Sequence, residues 1–77
     1  MNKLRRKKLA SINDDFTKLL EQLEQLRDEE QEAFDNMPES LQVCEKGEKI
    51  ESNIELLESI IDTVNEAIDC TNEVLEL

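Results

Sequence analysis

Few side chains in this sequence could carry out chemistry, and their spacing matches no common catalytic arrangement. The 77 residues include no histidine, no tyrosine and only one glycine, so there is no imidazole base and no glycine-rich phosphate loop. General acid–base catalysis would depend on carboxylates and lysines on thin helices without an evident pocket. We therefore expect a protein that is not an enzyme and that has no catalytic or cofactor-binding residues.

The two cysteines do not form a recognisable metal or redox site. Cys44 and Cys70 would lie about 40 Å apart along a single helix, which is too far for a disulfide within the chain. There is no CxxC pair and nothing resembles the calcium loop of an EF-hand, so no bound metal is expected. Two reduced thiols are the expectation, and a disulfide between two chains is the alternative.

Carboxylates are the one abundant functional group, and they are unevenly distributed. The 20 Asp and Glu residues outnumber the nine Lys and Arg residues, and the net charge is −11. Five of the cations lie in the first ten residues, in the segment "KLRRKK", so the rest of the chain is strongly acidic. An acidic body repels nucleic acid and anionic membranes and attracts basic protein surfaces. We expect a protein partner with a basic surface, and neither direct nucleic-acid binding nor membrane binding.

Five glutamates in the second half of the chain are the candidate partner-binding residues. These are Glu45, Glu48, Glu51, Glu55 and Glu58. A dimer of this chain would carry one net charge per roughly 2.4 Å of helix, against about 1.7 Å for duplex DNA. One interpretation is that the acidic surface imitates a phosphate backbone. The alternative is an ordinary solvated helix face.

Two amphipathic helices are expected to position these groups. Apolar residues recur at alternating spacings of three and four, as in a heptad repeat. They are Leu9, Ile12, Phe16, Leu19, Leu23 and Leu26 in the first half, and Ile50, Ile54, Leu57, Ile61, Val64 and Ile68 in the second. Between them lies "DNMPESLQ", where Pro38 ends one helix and starts the next, with Asn36 and Glu39 as a capping box. The prediction is a single all-α domain, an antiparallel helical hairpin with helix 1 over about 3–35, a turn at 36–37 and helix 2 over about 38–75.

A chain that folds back at 36–37 also predicts which residues face each other. Their numbers should sum to about 73, which gives five apolar pairs. The pairs are Leu9 with Val64, Ile12 with Ile61, Phe16 with Leu57, Leu19 with Ile54, and Leu23 with Ile50. Gly47 then lies opposite Leu26, where it provides room for close packing or marks a break. The alternative is a short turn of helix at 38–44, a break, and then the main helix.

A second apolar column on helix 2 predicts self-association. Ile60, Ala67 and Val74 lie beside the main stripe, with Leu56 and Cys70 on the other flank. A lone pair of helices lacks the core to be stable. We expect a homodimer that forms an elongated four-helix bundle, with Leu56, Ile60, Ala67 and Val74 at the interface. A larger assembly or a partner helix would bury the same residues.

The basic start of the chain allows three interpretations. In the hairpin it lies beside Asp69, Glu73 and Glu76, which predicts charge pairing between the two ends. Contact with a protein or nucleic-acid partner, and a solvated tail, are the alternatives; without interleaved aromatics the nucleic-acid signal is weak. No signal-peptide core follows this segment and no apolar run could span a membrane, which predicts a cytoplasmic protein.

The block "LRDEEQEAFDNMPESLQ" (26–42), followed by "EKGEKIE" (45–51), resembles a family of small acidic helical-hairpin proteins. They occur, largely uncharacterised, in phages and mobile elements of Gram-positive bacteria, and the opening "MNKLRRKK" fits their usual start. The resemblance implies a phage or mobile-element origin and transfers no site residues. By analogy with such proteins, it implies binding and inhibition of a host defence or nucleic-acid-binding protein. The competing hypothesis is an architectural module that acts through the apolar helix-2 contacts.

Overall fold

The computed structural model describes all 77 residues and contains three helices and no strand. They are α1 (Lys3–Asp35), α2 (Glu39–Gln42) and α3 (Glu45–Glu76). The molecule is elongated, with extents of 58 × 14 × 13 Å. The predicted all-α class is confirmed.

Local signals explain where α1 begins and ends. The Asn2 side chain accepts a hydrogen bond from the Arg5 amide at 2.8 Å, which satisfies one of the free N–H groups at the start of the helix. At the other end the Asn36 amide donates to the carbonyl of Glu32, and Pro38 follows two residues later. Proline disfavours helical backbone at the residue before it, so the helix cannot continue through Met37.

The second half of the chain was predicted to be one helix over about 38–75, and this prediction is wrong. A single turn, α2, is followed by a break at Val43 and Cys44 before α3 begins. Pro38 occupies the N-cap position of α2 with an extended backbone, and its carbonyl accepts from the Leu41 and Gln42 amides. Asn36 instead ends α1, so the predicted capping box does not form. The observed arrangement matches the alternative of a short helical turn, a break and a main helix.

Gly47 is buried in the first turn of α3 because the end of α2 packs directly on it. A Cβ atom added at Gly47 would lie 2.6 Å from the Cα of Gln42 and nearer still to the Gln42 carbonyl. Only a residue without a side chain allows this approach. The expectation of close packing at Gly47 was right, but the packing partner is the backbone of α2 and not the side chain of Leu26.

The two long helices lie side by side and run antiparallel. Near the open end, the Arg6 Nη1 atom donates to the Leu75 carbonyl at 2.7 Å and the Asn13 Nδ2 atom donates to the Asn72 Oδ1 atom at 3.1 Å. Residues that face each other therefore have numbers summing to about 84, and not to about 73. The predicted register is wrong because the chain reverses across α2 and its flanking residues, and not across a two-residue turn.

The same shift is visible near the turn. Leu57 lines a groove with Leu26, where Phe16 had been expected, and Ile54 lines another with Phe34, where Leu19 had been expected. The other three predicted pairs do not face each other either, because the same shift displaces them. They are Leu9 with Val64, Ile12 with Ile61, and Leu23 with Ile50. Each residue of α3 thus lies about three turns further along α1 than the sequence pattern suggested.

Apart from Glu24 and Ala67, which border it, the less exposed residues of α1 and α3 form one continuous seam with heptad spacing. In α1 they are Arg6, Leu9, Asn13, Phe16, Leu20, Leu23, Arg27, Glu30 and Phe34; in α3 they are Gly47, Ile50, Ile54, Leu57, Ile61, Val64, Ile68, Thr71 and Leu75. The α3 stripe is the predicted one. The α1 stripe is not, because Asn13, Leu20 and Arg27 replace Ile12, Leu19 and Leu26. The pair buries little apolar surface: Ile54 and Ile61, at 7% and 6% exposed, are its only buried apolar side chains, and neither is fully enclosed.

Candidate functional site

An apolar face runs along one side of the helix pair. It consists of Ile12, Leu19 and Leu26 on α1 and Leu56, Ile60, Ala67 and Val74 on α3. Leu26, Leu56 and Ile60 line one open groove, which shows that the two helices contribute to the same side of the molecule. Large apolar side chains gathered on one side of a small protein mark an interaction surface.

The side chains of this apolar face have high exposed fractions for large apolar residues. Leu56 is 61% exposed, Leu19 and Leu26 are each 50% exposed, and Ile60 is 46% exposed. The α3 residues were predicted as an interface, and the structure places them on one side of α3 with Ala67 half-buried. The α1 residues were missed, since they had been assigned to the seam. No signal in the sequence identified them as a separate row, because the neighbouring rows of α1 have the same spacing of seven residues.

The five predicted partner-binding glutamates are all exposed. Glu48, Glu51, Glu55 and Glu58 lie on the side of α3 away from the apolar face, whereas Glu45, about three turns before Leu56, lies at the border between the two sides. Glu58 and Ile60 are two residues apart, which turns them about 200° around the helix axis. Glu51, Glu55 and Glu58 line an open groove together with Phe34 of α1. We call Glu45, Glu48, Glu51, Glu55 and Glu58 the acidic face. The structure thus brings Glu51, Glu55 and Glu58 together at one groove, with Glu48 on the same side of α3.

The negative charge is concentrated at the end of the molecule that contains the turn. Residues 27–58, which we call the turn region, contain eleven carboxylates and three cations, a net charge of −8. The other 45 residues contain nine carboxylates and six cations, a net charge of −3. Five of those six cations precede Leu9. The molecule thus has a strongly acidic end and an end where cations and carboxylates are nearly balanced.

The expected charge pairing between the basic start and Asp69, Glu73 and Glu76 does not form. The only close ion pair in the structure joins the Arg27 Nη2 atom and the Asp28 Oδ1 atom at 3.1 Å. Arg6 instead donates to the Leu75 carbonyl in the last turn of α3, where a cation complements the negative end of the helix dipole. Lys7 and Lys8 remain exposed.

A polar layer interrupts the seam near the open end. Asn13 lies level with Thr71, whose hydroxyl donates to the Ala67 carbonyl at 2.7 Å. The Asn13 Oδ1 atom is buried and has no hydrogen-bond partner, while its Nδ2 atom donates to Asn72. A polar residue in a helical seam favours one register at a cost in stability. The sequence pattern did not identify this layer, because Ile12 was assigned to the position that Asn13 occupies.

The remaining groups show no reactive arrangement. The half-buried Cys44 thiol donates to the Leu41 carbonyl at 2.8 Å, and Cys70 is exposed. No cluster of three or more potential ligands is close enough to hold a metal ion. None of the three helices combines the length and apolar character needed to cross a bilayer. Comparison with protein-family models, curated proteins and solved structures gave no match.

Proposed function

We propose that this chain is a non-enzymatic protein of phage or mobile-element origin that binds and inhibits a basic host protein through its acidic face. The observation that carries the proposal is the separation of the two faces. Four of the five glutamates project from one side of the helix pair and the apolar residues from the other, with Glu45 at the border. One side can therefore mediate self-association while the other remains free for a partner.

In this proposal the chain is a helical hairpin, and two copies form an elongated four-helix bundle in the cytoplasm of the host bacterium. The bundle carries −22 over a length of 58 Å, or one net charge per about 2.6 Å. That density is of the same order as duplex DNA, so a nucleic-acid-binding protein, such as a defence protein with a basic cleft, is the kind of target it fits. Recognition is electrostatic and sensitive to salt.

The test is affinity capture from a Gram-positive host lysate with three matched baits. One is the natural chain, one has the five glutamates of the acidic face changed to Gln, and the control has five carboxylates changed elsewhere. The control changes are Asp14→Asn, Asp15→Asn, Glu21→Gln, Glu66→Gln and Glu73→Gln. The same stoichiometric basic protein should bind the natural chain and the control, be lost from the acidic-face variant, and be released by high salt. Equal loss with both variants would show that net charge alone is recognised and would refute a defined site.

The architectural role is the second candidate, and the exposed apolar face favours it. A module of this kind would tolerate neutralisation of the acidic face and lose its assembly when Ile60→Asp or Val74→Asp is introduced. An acidic inhibitor depends instead on the carboxylates for target binding. The two sets of variants therefore separate the candidates when assembly and target binding are measured on the same samples.

A further inference from the structure

We propose that the apolar face binds a second copy of this chain in the reversed orientation. The start of α1 in each copy then lies beside the turn region of the other. The inference rests on the dimer in the proposed function and extends it in two ways. It adds α1 to the interface, and it fixes the relative direction of the copies.

The α1 part of the apolar face is symmetric about its middle residue. Ile12 and Leu26 each lie seven residues from Leu19, which is two turns of helix in either direction. A two-fold axis that passes beside Leu19 therefore places Ile12 of one copy against Leu26 of the other. The same axis pairs Leu19 with itself. Such a self-complementary patch is what a two-fold dimer requires.

The rows of α3 agree with this position of the axis. In the observed register Leu19 lies level with residue 65, and Leu56 and Val74 lie nine residues on either side of it. The reversed arrangement brings Leu56 of one copy level with Val74 of the other. Both helices of each copy then contribute to a four-helix core, which covers the side chains that the isolated pair leaves exposed.

Charge decides between the two possible directions. If both copies pointed the same way, their turn regions would lie together and place −8 beside −8 along the bundle. The reversed arrangement places each turn region beside the start of α1 in the other copy, which carries the basic segment. Like-charge juxtaposition disfavours an interface and complementary charge favours it.

A specific pair of side chains illustrates this complementarity. Lys8 and Glu29 are three heptads apart, so they share one row on α1 that borders the apolar face. Both are exposed in the single chain. In the reversed dimer Lys8 of each copy lies within one residue, about 1.5 Å, of the level of Glu29 in the other copy. If the two copies ran in the same direction, each lysine would be far from that glutamate. The resulting bundle has an acidic turn region at each end and both acidic faces directed outward.

Spin-label distances measured on the full chain test the direction without any host partner. The background is Cys44→Ser, which keeps a donor for the Leu41 carbonyl, together with Cys70→Ser. One label is attached at Glu32→Cys, 13 residues from the proposed axis, and the control label at Lys18→Cys, beside it. In the reversed dimer the two labels at 32 should be about 40 Å apart or more, since each lies about 20 Å from the axis. The two labels at 18 should be only about 20–30 Å apart, which is the width of two helical layers.

Charge reversal provides the second measurement. Lys8→Glu should weaken self-association by up to about 30-fold, because the two-fold axis removes two exposed pairs at once, and Lys8→Glu combined with Glu29→Lys should restore it. Similar short distances at 32 and 18, or no dipolar signal at either position, would overturn the proposal. Because these samples contain only this chain, their result is independent of whether the acidic face binds a host protein.

Discussion

Asn13 provides the sharpest test of the seam, because its Oδ1 atom is buried without a partner. Replacing Asn13 with Leu removes that unpaired acceptor, whose burial costs about 1–3 kcal/mol. The change also loses the hydrogen bond to Asn72, which is exposed and contributes at most about 1 kcal/mol. Added apolar burial against Thr71 offsets that loss. We therefore expect Asn13→Leu to raise the free energy of unfolding by about 2 kcal/mol.

Thermal unfolding followed by circular dichroism measures this effect. For a chain of this size, 2 kcal/mol corresponds to a rise in Tm of about 8–16 °C. The natural chain and the variant are compared at one protein concentration, since self-association makes Tm depend on concentration. Asn72→Ala is the matched control and should change stability by less than about 1 kcal/mol. A Leu variant that is as helical as the natural chain but no more stable would show that Asn13 is not an unpaired group in the seam.

Two further predictions concern the points where the helices begin. Gly47→Ala should lower the free energy of unfolding, because overpacking against the Gln42 backbone costs about 1–3 kcal/mol and exceeds a gain in helix propensity of up to about 1 kcal/mol. Chemical denaturation measures the free energy of unfolding of this variant and of a control, Lys46→Ala, which is an exposed change in the same turn. A Gly47→Ala protein that is more stable than the natural chain would contradict the close packing. Asn2→Ala should cost about 1 kcal/mol and speed amide exchange at Arg5, since the cap is lost, whereas Asn2→Ser should retain most of it. Equal exchange in both variants would argue against the cap.

The sequence was sufficient to predict the two long helices and the row of α3 that faces α1. Both follow from heptad spacing, and the α3 row is apolar from Ile50 to Ile68. Pro38 also located the boundary between the two halves. Glu48, Glu51, Glu55 and Glu58 could be placed on one side of α3, because residues at alternating spacings of three and four are neighbours on a helix surface.

The α1 seam could not be predicted, because two neighbouring rows compete for the same role. Leu19 and Leu20 are adjacent and equally apolar, so spacing alone does not choose between their rows. The row with Ile12 and Leu26 is the more apolar one, yet the structure places Asn13 and Arg27 in the seam and leaves the apolar row outside. A pattern rule that maximises burial within one chain selects the wrong row when part of the apolar surface serves a contact outside the chain.

The register and the exposed apolar face have a common physical origin. The one-turn helix α2 and its flanks lengthen the connection, and this displaces α3 by about three turns along α1. In the displaced register the charged residues Arg27 and Glu30 enter the seam near the turn, so the isolated pair has a poorer core than the sequence pattern suggested. The apolar residues that the seam does not use lie together on one side of the molecule. Since so small a core stabilises a chain of 77 residues only weakly, covering that side contributes to folding as well as to assembly.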